Sequence, residues 1–172
     1  ALAAAPVYER AKVVVIASGA GAPAISQAGD YIFRTKPSLT IAAELLAQDM
    51  AAKFKRVGVI SEETVYCQGL TSSFTKEAER LGMSVENHNF APHTDDFRSV
   101  LLRLKSHQVE AIFLNPQAEP TITTMYKQLR ELGFKGQVYG NFHPGSPTFL
   151  NAFGSSADGV IFTDLAFNDQ YL

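Results

Sequence analysis

Short apolar, β-branched runs alternate with longer stretches of helical periodicity along nearly the whole chain, and this alternation restricts the fold most. RVGVIS (56–61) and VEAIFLNP (109–116) are continuous apolar runs, the pattern of strands buried on both faces of a parallel sheet. KVVVIAS (12–18) reads the same way. Parallel neighbours need crossover connections, and helices supply them. The expected fold is therefore α/β, an open doubly wound parallel sheet.

A pass along the chain fills in the units. After KVVVIAS come SGAGAP, a brief helix-like AISQAG and a second short strand, YIFRT (31–35). Lys36 and Pro37 break the chain. Ser38 caps a long amphipathic helix with Leu39, Ala42, Leu45, Leu46 and Met50 on one face. GLTSSFTKEAERLG (69–82) is a helix with Leu70, Phe74, Ala78 and Leu81 aligned and Gly82 past its end. MSVENHNF is an alternating strand, and Thr94, Asp95 or Asp96 caps the helix FRSVLLRLKSH. AEPTITTMYKQLRELG is a helix with Pro120 near its first turn, QVYG a strand, SPTFLNAFG a short helix and DGVIFTD a strand. Five strands thus lie between Arg56 and Asp164, so residues 37–165 read as one open α/β domain. Residues 1–36 read as a piece of another unit. The opening ALAAAP is the small-residue end of a signal peptide or, as favoured by the lack of a charged or long apolar region before it, the tail of a helix running to Arg10.

Composition removes several functions. The net charge of −2 leaves no basic excess for a phosphate backbone, so no nucleic-acid partner is expected. No apolar run reaches membrane-spanning length. A single cysteine, Cys67, excludes an internal disulfide and a multi-cysteine zinc site. SGAGAPA matches Gly-x-Gly-x-x-Ala at Gly19, Gly21 and Ala24, but the helix after it is too short for a dinucleotide site and the next strand ends in Thr35 and Lys36, not an acid. His88, His93, His107 and His143 have no metal-ligand spacing. Glu62 and Glu63 are adjacent, so in an extended segment they point to opposite sides and form no catalytic dyad. No nucleophile–base pair stands out, and neither an enzyme nor a cofactor is expected.

Ligands of open parallel sheets bind beyond the carboxyl ends of the strands. That rule collects SEETVYCQ, NPQAEP and GNFHPGSP, with Tyr66, Asn115, Gln117, Phe142 and His143. Such residues suit stacking and hydrogen bonding to a small molecule.

With these residues in view, the chain resembles the type I periplasmic solute-binding proteins of ABC importers, of the leucine/isoleucine/valine-binding kind. VVVIASGAGAPAISQAGDYIFRT, RVGVISEETVYCQGL, DFRSVLLRLKSHQVEAIFLN, MYKQLRELGFKGQVYG and FGSSADGVIFTD carry the likeness, in family order. The resemblance implies two α/β lobes closing on a ligand, of which this chain is about half. Residues 1–36 would be a remnant of the first lobe with its crossover, 37–165 the second lobe, and 166–172 the start of the return crossover. It implies capture of a solute such as an amino acid, amide or aromatic or organic carboxylate, an ABC permease as partner, and a periplasmic or extracellular location, lipid-anchored in a Gram-positive cell. The same fold also serves as the ligand-sensing region of receptors and regulators.

The resemblance also implies site residues. Tyr66 matches the tyrosine of a Tyr-Gly-x-Gly-Leu motif that lies against the ligand, with Cys67 replacing the first glycine. Ser18, Gly19, Ala20 and Gly21 match the first-lobe loop that receives the ligand carboxylate, and Gly21 stands where a threonine is usual. Another second-lobe aromatic falls near Ala118, beside Gln117. The acid that pairs with a ligand ammonium falls on Phe142, next to His143. An unpaired buried ammonium is costly, so the expected ligand is a carboxylate, amide or aromatic acid stacking on Phe142 and Tyr66, unless Glu62, Glu63 or Glu119 replaces the lost acid. Without partner strands KVVVIAS would expose sheet edges and an apolar face, so residues 1–35 are expected either to be poorly ordered or to self-associate by pairing with another copy of the chain.

Overall fold

The computed structural model describes residues 2–36 and 38–164. The chain runs through α1 (Ala5–Ala11), β1 (Val15–Ala17), β2 (Ile32–Arg34), α2 (Leu39–Ala51), β3 (Arg56–Glu62), α3 (Val65–Arg80), β4 (Ser84–Phe90), α4 (Arg98–Ser106), β5 (Ala111–Asn115), α5 (Glu119–Glu131), β6 (Gln137–Gly140), α6 (Pro147–Phe153) and β7 (Ile161–Phe162). The return crossover expected over 166–172 lies outside the described residues.

Strands β3 to β7 form one parallel sheet in the order β4-β3-β5-β6-β7, and β1 pairs with β2 in a second, two-stranded parallel sheet. The expected doubly wound α/β sheet is present. Side chains alternate along β3, so Val57 and Val59 join the cluster under α2 and α3, with Leu46, Met50, Leu70, Phe74 and Phe113. Ile60 enters the opposite cluster under α4, α5 and α6, with Leu101, Leu104, Tyr126 and Phe149. Each large apolar side chain buried this way contributes roughly 1.5–3 kcal/mol. Gly58 lets α4 approach, because a Cβ there would lie 2.8 Å from a Leu104 methyl.

The chain leaves β3, forms β4 on one side, then crosses back to form β5 on the other side of β3. The strand order therefore reverses between β3 and β5, and a crevice opens beyond their carboxyl ends.

Several local expectations are corrected. KVVVIAS is not buried on both faces: only Val15–Ala17 is strand, and Val13, Val14 and Ile16 are exposed, Ile16 at 64%. Among the described residues β1 has β2 alone beside it, and one face is covered by Ala5, Ile25 and Ile32. In α2, Leu45 is 58% exposed, and Ala43 and Ala47 turn inward because small side chains let α2 lie against α3. Helix α3 starts at Val65 rather than Gly69, since Thr64 caps it: its Oγ1 accepts a hydrogen bond from the Cys67 N–H at 3.2 Å. Helix α4 has no side-chain cap at its first residue; Asp96 Oδ1 accepts from the Arg98 N–H instead.

Candidate ligand-binding cleft

The crevice is held by a buried polar network. Asn115, at the end of β5, donates through Nδ2 to Cys67 O at 2.9 Å, Thr71 Oγ1 at 3.0 Å and Ser61 Oγ at 3.3 Å. Its Oδ1 accepts from Asn141 Nδ2, which also donates to Pro116 O. The Asn141 Oδ1 accepts from the His143 N–H. His143 Nε2 lies 3.1 Å from Gln117 O, and because a carbonyl only accepts, that nitrogen carries the proton. Glu62, buried, accepts the Gln117 N–H at 2.7 Å, and Thr64 Oγ1 donates to Gln117 Oε1 at 2.9 Å. The three loops after β3, β5 and β6 are thus tied to one another.

Against them stands the loop after β1. Gly21 is buried there, its carbonyl accepts the Leu39 N–H, and a Cβ at Gly21 would lie 2.8 Å from the Leu39 side chain. Gly69 in α3 likewise lets Pro23 come close, with 3.2 Å to a Cβ built at that position. Between the two walls lies a cavity of about 480 Å³. Gly19, Ala20 and Gly21 line one side, and Tyr66, Gln117 and Phe142 the other. Among the described residues, no acceptor pairs with the backbone N–H groups of Gly19, Ala20 and Gly21. Tyr66 and Phe142 meet edge to face, with centroids 6.4 Å apart, and the buried Tyr66 hydroxyl has no partner among the described residues.

Residues 1–171 match the family model described as periplasmic binding protein. The chain belongs to the periplasmic binding protein family. It is 25% identical over 166 residues to the leucine-specific-binding protein of Salmonella typhimurium, covering 93% of this chain and 44% of that protein. The Leu/Ile/Val-binding protein BraC3 of Rhizobium johnstonii is 25% identical over 156 residues, covering 88% and 42%. Among solved structures, the leucine-binding protein LivK of Thermotoga maritima superposes with a TM-score of 0.86 at 26% identity, over 96% of this chain and 48% of that one. A solute-binding protein of an ABC transporter from Rhodopseudomonas palustris BisB5, in complex with 3,4-dihydroxybenzoic acid, superposes with a TM-score of 0.77 at 25% identity, over 91% and 44%. The chain spans somewhat under half the length of these relatives.

In this member of the periplasmic binding protein family, the cavity gathers Gly19, Ala20, Gly21, Tyr66, Gln117 and Phe142. Three residues expected at the site do not line it. Ser18 is exposed, and its carbonyl accepts from the Thr35 hydroxyl. Ala118 is the exposed residue before α5, and His143 is buried behind the wall as a support for Gln117. None of the three carboxylates considered as replacement acids lines the cavity. Glu62 is engaged by the Gln117 N–H, Glu63 is exposed, and the hydroxyls of Thr148 and Ser146 hold the Glu119 carboxyl below the usual carboxylate range. Burial pushes the Cys67 thiol up to about 11, which keeps it protonated and inert near neutral pH. Lys36, Thr64 and Val65 line the cavity without having been singled out. The cap signal of Thr64 was legible; Lys36 carried no signal beyond breaking the chain before Pro37.

Burial holds the His143 imidazole below its ordinary value of 6.5, although the Gln117 carbonyl and Glu119 pull the other way. The unfolded chain therefore takes up a proton before the native state does. The stability tied to His143 is complete above pH 6.5 and is lost as the pH falls below it, towards the depressed native value. Glu119 acts in the lower, carboxylate window. His143→Gln should flatten the stability curve just below pH 6.5, measured by urea denaturation at a series of pH values. An unchanged slope in that window would remove His143 as its source.

Proposed function

We propose that this chain supplies the ligand-holding cleft of a solute-binding protein of an ABC-type importer, capturing a small molecule and releasing it to a membrane permease without chemical turnover. One observation carries the reading: the cavity lies where the strand order reverses, between the loop after β1, whose Gly19, Ala20 and Gly21 N–H groups have no acceptor among the described residues, and the aromatic pair Tyr66 and Phe142. Residues 1–36 would belong to one lobe and 37–165 to the other, with the ligand between them. The setting is periplasmic or extracellular, with a lipid anchor if the cell is Gram-positive. Exposed Val14, Ile16 and Phe33 form an apolar surface suited to pairing with a second copy of this chain.

A thermal-shift panel of branched-chain amino acids, short amides and aromatic carboxylates tests the function, since a ligand that binds the folded state raises its melting temperature by mass action. At least one class should raise the melting temperature, and Tyr66→Ala should abolish that rise. A rise that survives Tyr66→Ala would place the binding elsewhere.

A further inference from the structure

We propose that His143 is an acid-sensitive latch on the cleft: when neutral it holds Gln117 and Phe142 in the cavity wall, and when it takes up a proton its turn swings away and the wall opens. This adds a regulation to the cavity and rests on the reading of that cavity as the solute site.

The latch touches both wall residues. His143 Nε2 donates to the Gln117 carbonyl at 3.1 Å, and the ring lies against Phe142, with centroids 4.2 Å apart and 40° between the planes. Gln117 and Phe142 line the cavity, whereas His143 is 8% exposed and stands behind them. The piece that moves is short. Phe142 leads into a single 3-10 turn, His143–Gly145, between two fixed points. One is Asn141, whose amide donates to Pro116 O at 2.7 Å; the other is Ser146, whose hydroxyl accepts the Phe149 N–H at the start of α6.

Nε2 already carries the proton of the neutral ring, so a second proton goes to Nδ1 and charges a buried imidazole. Burial is the largest influence and opposes that charge. Lys36, over the Phe142 ring, opposes it too, while Glu119 at the start of α5 and Glu62 at the end of β3 favour it. The other elements packed on the turn, α6 and β7, contain no titratable side chain. Asp164, just beyond β7, lines the neighbouring groove together with Lys36 and Phe142. With burial dominant, the ring charges readily only when it turns out to water. Turning out frees the Gln117 carbonyl and takes the support from Phe142.

The open form takes up its proton near the ordinary value of 6.5, and the closed form only below it. Opening is therefore independent of pH above 6.5. It becomes about tenfold easier for each pH unit below 6.5, down to the depressed native value.

Amide hydrogen exchange followed by NMR between about pH 7.5 and 5, corrected for the intrinsic exchange rate, tests the latch without any ligand. Protection of the Gln117 and His143 amides should fall about tenfold per pH unit below 6.5 and stay below that of Phe113 in the core of β5. His143→Gln cannot take the charge, and the fall should vanish in it. A fall of the same size in His143→Gln would overturn the proposal. So would pH-independent protection in the wild type, or protection equal to that of Phe113, which means that only the whole protein opens. Leucine and benzoate, added at neutral pH, separate the latch from the solute site. A probe held in the cleft should raise the protection of both amides by mass action. Unchanged protection with both probes, beside the expected pH profile, would keep the latch and count against the cavity as the solute site.

Discussion

Asn115→Leu should lower the unfolding free energy by about 3 kcal/mol, because leucine fills a similar volume and makes none of the hydrogen bonds. The loss takes the Asn115 amide donor from Cys67 O and one acceptor from Asn141, and it removes a donor from Thr71 Oγ1 and Ser61 Oγ, which keep their 2.9 Å bond to each other. Each buried group left unpaired costs about 1–3 kcal/mol. Against a total stability of roughly 5–15 kcal/mol, that is a large share. Asn141 keeps its bond to Pro116 O, so the loop after β6 should loosen rather than unfold. Urea denaturation followed by far-ultraviolet circular dichroism checks the figure. A variant within about 1 kcal/mol of wild type would mean that water or rearranged side chains satisfy the network.

The second large effect is expected at Gly140, the last residue of β6. A Cβ there would lie 2.4 Å from Pro144 Cγ and 3.0 Å from its Cδ. A proline ring cannot rotate out of the way, so Gly140→Ala must shift the turn that carries Phe142 and His143. Overpacking of this kind costs about 1–3 kcal/mol. The displaced ring should also weaken ligand binding, and binding should fall further than in a surface variant of equal stability. Loss of stability with full ligand affinity would show that Phe142 does not form the cleft wall.

Most of the fold was legible because β3 and β5 are largely apolar runs, β4 alternates, and the helices have clear stripes. The exceptions have local causes. The 69–82 reading passed over the cap at Thr64, which adds a turn to α3 and places Tyr66 on a helix rather than in a loop. Leu45 fitted the helical stripe, but close packing of α2 on α3 selected Ala43 and Ala47. KVVVIAS had the composition of a central strand, and composition says nothing about how many neighbours a strand acquires. At the cleft, Tyr66, Gln117 and Phe142 followed from the carboxyl-end rule for parallel sheets. His143 obeyed the same rule yet turned inward, because Asn141 and Gln117 offered it partners. Lys36 was not legible, since its position over Phe142 depends on a contact between distant parts of the chain.

Amide chemical-shift mapping during a benzoate titration tests the central claim most directly. The shifts should concentrate at Gly19, Ala20 and Gly21, at Thr64 to Tyr66, and at Phe142, on both walls of the cavity. Shifts confined to the groove beside α2, at Ile41, Leu45 and Phe162, or no shifts at any ligand concentration, would contradict it.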